Sequence, residues 1–337
     1  MKKIFIIFLF FFIFNLNVNA ISVSSNNAIL IDQDSGRVLY SKNANSARLI
    51  ASTTKIMTAV LAIESGKLDE IVVINDSVSK SYGSGIYVSI DERITLRNLV
   101  YGLLLRSGND AALAIEDFLG GHEKFIEMMN NKAKEIGMKN TIFNNAHGLD
   151  DEEEGNYSTC YDMAILMKYA NNLFDFREIS STKKIIVQTD MKTYSWTNKN
   201  KLLFSYKYVT GGKTGYTKKA KRTLVTSATK NDINLIAVTF NDPDDFDTHK
   251  KLYEYGFDNY KNYLIINKNK IKIKNDKYDG KLYVKNNFYY LMTNNERENI
   301  NTNVVMYKKM NKNTKKVGYI EVFYKNNSVH KEYIYLK

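Results

Sequence analysis

Apolar and polar residues change their period along this chain. From Asn27 the stretch AILIDQDSGRVLYSKN places two short apolar runs on either side of Asp34-Ser35-Gly36, which predicts a hairpin. From Ser52 the apolar positions Ile56, Ala59, Val60 and Ile63 follow helical spacing, and Gly66 stops the helix. Residues 70–95 are mixed and rich in Ser and Gly, so a loop-dominated passage is expected there. LRNLVYGLLL (Leu96 to Leu105) is helical and breaks at Ser107-Gly108-Asn109. DAALAIEDFLGG is a second helix, ending at Gly120-Gly121, and EKFIEMMNNKAKEIG is an amphipathic third. After an acidic loop at Asp150 to Gly155, Thr159 and Asp162 suit a capping box that opens MAILMKYANNL.

The period then becomes two. KKIIVQT, KTYSWTN, RTLVTSAT and INLIAVTF predict antiparallel strands, the last two joined around Lys230-Asn231-Asp232. A final helix, DTHKKLYEYG, is expected to end at Gly256. Residues 21–261 thus predict an α+β domain, an antiparallel sheet from both ends of the segment with a helical insert between them. From Tyr263 alternation dominates, so 262–337 predicts a small all-β domain.

Composition and charge refine this picture. The chain has 337 residues, 44% hydrophobic and 25% charged, enough for a sizeable core and about two domains. Residues 21–261 carry 30 Lys and Arg against 30 Asp and Glu, whereas 262–337 carry 16 against 6, a net of +10. That shift marks the domain boundary better than any linker. The first twenty residues resemble a signal peptide: Lys2 and Lys3, an apolar run from Ile4 to Phe14, then Val18-Asn19-Ala20. The apolar run is too short to span a bilayer as a helix, although an uncleaved anchor is the alternative. Export is therefore expected, to the wall or the outer face of the cytoplasmic membrane, and it makes nucleic acid an improbable partner. Cys160 is the only cysteine and reads as a small buried residue, and the four histidines show no metal-ligand spacing. No metal and no cofactor are expected.

Three short pieces carry candidate chemistry. Ser52 and Lys55 lie three apart on one helix face, where desolvation would lower the lysine pKa and let it serve as base to a serine nucleophile. Ser-x-x-Lys alone is weak, because six serines here have a lysine three residues on, and a capping Ser with a snorkelling Lys fits equally. Ser107-Gly108-Asn109 can aim a hydroxyl and an amide into a cleft, or can simply turn the chain. Lys213-Thr214-Gly215 offers a cation, a donor and close backbone approach at the start of a strand, or a Gly-rich hairpin. In this order the three match the active-site set of penicillin-interactive serine enzymes.

The resemblance extends further. ASTTKIMTA, LVYGLLLRSGNDAALAIE, MNNKAKEIGMKNTIFNNAHGLD, YSTCYDMAILMKYA, GGKTGYT and LYEYGF resemble the serine-type D-alanyl-D-alanine carboxypeptidases, the low-molecular-mass penicillin-binding proteins, from about Ala28 to Phe257. The resemblance implies a β-lactamase/transpeptidase-like catalytic domain that trims peptidoglycan stem peptides and is acylated by β-lactams. It implies Ser52 as nucleophile, Lys55 as general base, and Ser107 and Asn109 across the cleft. Lys213, Thr214, Gly215 and Tyr216 would bind substrate, with the N–H groups of Ser52 and Tyr216 as oxyanion hole. The chain departs from the family where an arginine usually follows the last catalytic-domain strand: NDPDDFDTHKK stands there, and Arg222 or Lys218 is a candidate substitute. Lys221 replaces a usual glycine, and Arg106 precedes Ser107 unusually. A β-lactamase using Glu152 to Glu154, or a catalytically silent sensor, are the alternative readings. The basic 262–337 segment is expected to meet anionic wall polymer or anionic lipid headgroups.

Overall fold

The computed structural model describes residues 21–150, 155–270, 273, 278, 281–311, 313 and 315–337. The leader expected at 1–20 and the carboxylates Glu152 to Glu154 lie outside the described residues.

A five-stranded antiparallel sheet runs in the order Val38–Lys42, Asn27–Asp32, Ile233–Phe240, Lys221–Lys230, Val209–Thr217. The N-terminal hairpin therefore pairs with the late strands, and both ends of the 21–261 segment build the sheet as the pattern predicts. All six residues of Asn27–Asp32 are buried because the sheet is covered on both faces. Alternate side chains feed two cores. Ile29, Ile31, Ile236 and Val238 join the helical insert, while Ala28, Leu30, Leu235 and Ala237 meet Leu252, Tyr253 and Phe257 of the Asp245–Asn259 helix. Asn231 and Asp232 have φ of 51° and 60°, the geometry of a tight two-residue hairpin between the last two strands.

Four expectations change in detail. Among the described residues Lys184–Gln188 and Thr193–Thr197 pair only with each other, as a two-stranded ribbon apart from the main sheet. The loop-dominated passage contains a small ribbon, Ile71–Val73 with Arg93–Thr95. Gly256 sits inside the last helix: a Cβ there would stand 2.5 Å from Leu235 Cδ1, so its smallness serves close helix-on-sheet packing. Thr159 caps the Cys160–Ala170 helix by accepting from Asp162 N–H at 3.0 Å, but the Asp162 carboxylate accepts from Asn140 N–H and Thr141 Oγ1 instead of closing a box.

The C-terminal region is all-β. One ribbon pairs Lys261–Ile266 with Phe288–Met292, and a four-stranded sheet runs Leu282–Val284, Asn327–Leu336, Lys316–Tyr324, Ile300–Asn311. Its own core gathers Ile266, Val284, Val317, Ile320, Val322 and Ile334. Arg37, beyond the first hairpin turn, ties this region to the sheet. It donates to Glu296 Oε1 at 2.5 Å and to the Leu291 carbonyl, with its guanidinium over the rings of Tyr260, Tyr290 and Tyr324. Among the described residues no helix is long and apolar enough to cross a membrane.

Candidate active site

Ser52 lies in a single 3-10 turn, Ala51–Thr54, that leads into the Lys55–Glu64 helix. The turn is pinned by its neighbours. Thr223 Oγ1 donates to the Ile50 carbonyl at 3.0 Å, Asn156 Nδ2 to Thr54 Oγ1 at 2.9 Å, and Thr58 Oγ1 to the Ala146 carbonyl at 2.6 Å. Each buried threonine in this apolar helix thus has a partner, which is what burial of a hydroxyl requires.

Lys55 is completely buried. Its Nζ reaches Ser52 Oγ at 3.1 Å and Asn109 Oδ1 at 2.7 Å, and it donates to the His147 carbonyl. Burial first, then the positive charges of Lys213 and Lys199, push its pKa well below the usual lysine value; Asp110 opposes them.

The facing wall starts from the Leu96–Tyr101 helix, which widens into a π turn at Gly102–Arg106 and reverses at Ser107, φ 63°. Ser107 and Asn109 are both buried, 5% and 2% exposed. Asn109 donates its Nδ2 to the Tyr82 carbonyl at 2.6 Å and its backbone N–H to Ser84 O at 2.7 Å. Asp110 accepts from the backbone N–H groups of Ile86 at 3.0 Å and Tyr87 at 2.6 Å. The 82–87 rim is therefore lashed to the helix that carries Asn109.

The third wall is the edge strand Val209–Thr217. Lys213 is 1% exposed, its Nζ donates to the Thr214 carbonyl at 2.6 Å, and burial with nearby Lys199 lowers its pKa to about 7. Gly215 lies against the serine turn: a Cβ there would sit 3.0 Å from Ser52 N and 3.1 Å from Thr53 N. Ser52, Ser107, Thr214, Gly215 and Tyr216 line one cleft of about 280 Å³, with Lys55, Asn109 and Lys213 buried beneath.

The same cleft is lined by Ser84, Lys199 and Lys201, which the sequence does not single out, and by Asp245 and Phe246 of the acidic run. Lys199 Nζ donates to Ser84 Oγ at 2.9 Å. Arg222 is also in the cleft, opposite Tyr216 in strand register, but its Nη2 donates to Asp245 Oδ1 at 2.7 Å. Lys218 lies in the turn beyond Thr217 and does not line the cleft. Cys160 is buried and its thiol pKa is pushed well up by burial, the behaviour of a packed residue.

Lys221, where the resemblance leads one to expect glycine, has φ 60° and an exposed side chain. That left-handed conformation costs a side-chain-bearing residue on the order of 1 kcal/mol or more. Lys221→Gly is expected to raise unfolding free energy by about 1 kcal/mol in urea melts, with activity kept. A neutral or destabilising result would show that the strand start carries no such strain.

Comparison with known proteins gives the family. Residues 15–244 match the family model described as D-alanyl-D-alanine carboxypeptidase. D-alanyl-D-alanine carboxypeptidase DacF of Bacillus subtilis is 36% identical over 267 residues, covering 75% of this chain and 68% of the relative. The carboxypeptidase of Streptomyces sp. K15 is 33% identical, covering 70% of this chain and 88% of its own. Among solved structures, penicillin-binding protein 5 of Haemophilus influenzae superposes with a TM-score of 0.77 at 25% identity, over 94% of this chain and 97% of its own.

Proposed function

As the chain belongs to the D-alanyl-D-alanine carboxypeptidase family, we propose that Ser52 is its acylated nucleophile and Lys55 the base that activates it. The protein is a serine-type D-Ala-D-Ala carboxypeptidase, a hydrolase that removes the terminal D-alanine of peptidoglycan stem peptides. One observation carries the assignment of roles. A neutral amine has two N–H donors and one lone pair, and Lys55 Nζ faces two carbonyl oxygens, of Asn109 and His147, and one hydroxyl, of Ser52. The neutral form thus has both N–H groups satisfied while its lone pair accepts the Ser52 proton. Burial and Lys213 favour that form.

The reaction follows from this placement. Ser52 Oγ attacks the carbonyl carbon of the scissile peptide as its proton passes to Lys55 Nζ. The developing oxyanion is held by the N–H groups of Ser52 and Tyr216, a reading supported by the contact of Gly215 with the serine turn. One such donor contributes on the order of 3 kcal/mol. The C–N bond then breaks, D-alanine leaves with a proton relayed through Ser107, and water hydrolyses the Ser52 ester with Lys55 again as base. Asn109 orients Lys55 and the substrate amide. Lys213, Thr214 and Arg222 supply donors for the terminal carboxylate. Arg222 serves there in place of the usual arginine, with Asp245 fixing its orientation.

The apolar leader supports export to the face of the cell where peptidoglycan lies. Residues 21–261 are read as the catalytic domain. The +10 balance of 262–337 supports a role in holding the enzyme at an anionic wall or lipid surface. A β-lactam tests the nucleophile. After incubation and tryptic digestion, the adduct is expected on the peptide Leu49–Lys55, with fragmentation placing it on Ser52. Label on any other residue, or no label, would overturn the assignment.

A further inference from the structure

The C-terminal sheet has two unlike faces. Val284, Ile334, Ile320 and Val322 point inward to its core. The alternate set points outward and is aromatic and basic. Tyr283 stands opposite Tyr335, and Tyr319 opposite Tyr333. The rings of Tyr283 and Tyr335 are 5.6 Å apart, and Tyr307 joins Tyr319 at 6.0 Å. Three ammonium groups lie over these rings: Lys285 over Tyr335 at 4.4 Å, Lys316 over Tyr333 at 3.6 Å and Lys331 over Tyr319 at 4.2 Å. Among the described residues the carboxylate on this face is Glu321, 4.0 Å from Lys331 and accepting from Ser328 Oγ.

We propose that this tyrosine and lysine face binds an anionic phosphodiester polymer of the cell wall, with Lys285, Lys316 and Lys331 on its phosphates and the rings against the carbon units between them. The inference rests on the reading of 262–337 as a wall-directed region. Two observations choose a polymer over a lipid bilayer. The rings are partly covered by ammonium groups, so the face offers no apolar wedge to insert. The exposed large apolar residues of the region lie elsewhere: Leu264 and Tyr289 pair on the two-stranded ribbon, and Val304 belongs to the inward-pointing set. Strands spaced about 4.8 Å apart place successive rings and cations along a line that an extended chain can follow.

The test is titration calorimetry of the full chain with synthetic poly(glycerol phosphate) at low and high salt. The triple variant Lys285→Gln, Lys316→Gln, Lys331→Gln is expected to bind about tenfold or more weakly at low salt, with a flatter salt dependence. Its release of D-alanine from a soluble peptide stays unchanged. A charge-matched triple at exposed positions off the face, Lys268→Gln, Lys270→Gln, Lys325→Gln, is expected to lose far less. Equal losses in both triples, or no binding by the unaltered chain, would overturn the proposal. So would tighter binding to vesicles of equal phosphatidylglycerol and phosphatidylcholine than to the polymer. D-alanine release is read separately, so failure of the enzymatic assignment would show there and not in the binding.

Discussion

Replacing Lys55 with methionine is expected to lower kcat for D-alanine release from a peptide ending in D-Ala-D-Ala by about 10³- to 10⁴-fold, the scale of a general base. Methionine keeps the volume and removes the lone pair. It also takes a donor from Asn109 Oδ1 and from the His147 carbonyl, at about 1–3 kcal/mol each, so the variant's melting curve is measured beside its rate. A folded Lys55→Met enzyme with activity within tenfold of the unaltered protein would dismiss Lys55 as base. The pH profile gives a second readout. With Lys55 as the proposed base, its deprotonated form is the active one, so kcat/KM is expected to climb as pH rises through its pKa. Lys213 is the second cause of that low pKa, after burial. Lys213→Gln removes a positive neighbour, lets Lys55 keep its proton to higher pH, and moves the acid limb upward. An acid limb that stays put would mean another group sets it. Lys213 itself stands at about 7, and an arriving carboxylate raises it.

The same arrangement has a stability cost whose sign is fixed by linkage. A lysine that titrates lower folded than unfolded is bound more weakly by protons in the native state. For Lys213 stability is therefore withdrawn as pH falls from its ordinary 10.5 to about 7, and the loss is complete below that. Two buried lysines side by side make little sense as architecture. They make sense as the proposed base, kept neutral, and the proposed cation for the substrate carboxylate.

How much of this was legible in the sequence depends on what kind of contact is asked for. Helical spacing places Ser52 and Lys55 on one face, and the resemblance carried by the three motifs implies that Ser107, Asn109 and Lys213 meet it. Alternation marks the strands but says nothing of partners, so the Lys184–Gln188 ribbon could not be told from a strand of the main sheet. Gly256 reads as a helix stop because its packing against Leu235 is a tertiary fact. Lys199 and Ser84 meet across 115 residues, and Asp110 acts on backbone N–H groups that carry no residue identity. Asp245, taken from the sequence as part of an acidic run replacing an arginine, instead partners Arg222. The motif set and its resemblance find the candidate groups for the chemistry; the groups that aim them are found only in the folded chain.

Gly148 is such an aiming group, and Gly148→Ala is expected to reduce both stability and turnover. Its φ is 84°, in the left-handed region. A Cβ there would overlap the Ala51 carbonyl oxygen, stand 2.5 Å from the Ala51 carbonyl carbon and 2.8 Å from Thr54 Oγ1. Backbone of the serine turn cannot yield as a side chain tip can, so relief requires the Ala51 peptide to move, and Ser52 with it. A displacement on the order of 1 Å costs about 10²-fold in rate. Strain and overpacking together are expected to lower unfolding free energy by about 2–5 kcal/mol. Gly137 supplies the control: φ is 88°, and nothing lies within 4 Å of its Cβ position. Gly137→Ala should lose only the conformational share, about 1–2 kcal/mol, with turnover intact. Urea unfolding and D-alanine release on the two variants separate the terms. Equal behaviour of the pair would mean that Gly148 matters only for its backbone angle, and that the serine turn is held by its threonine hydrogen bonds rather than by this contact.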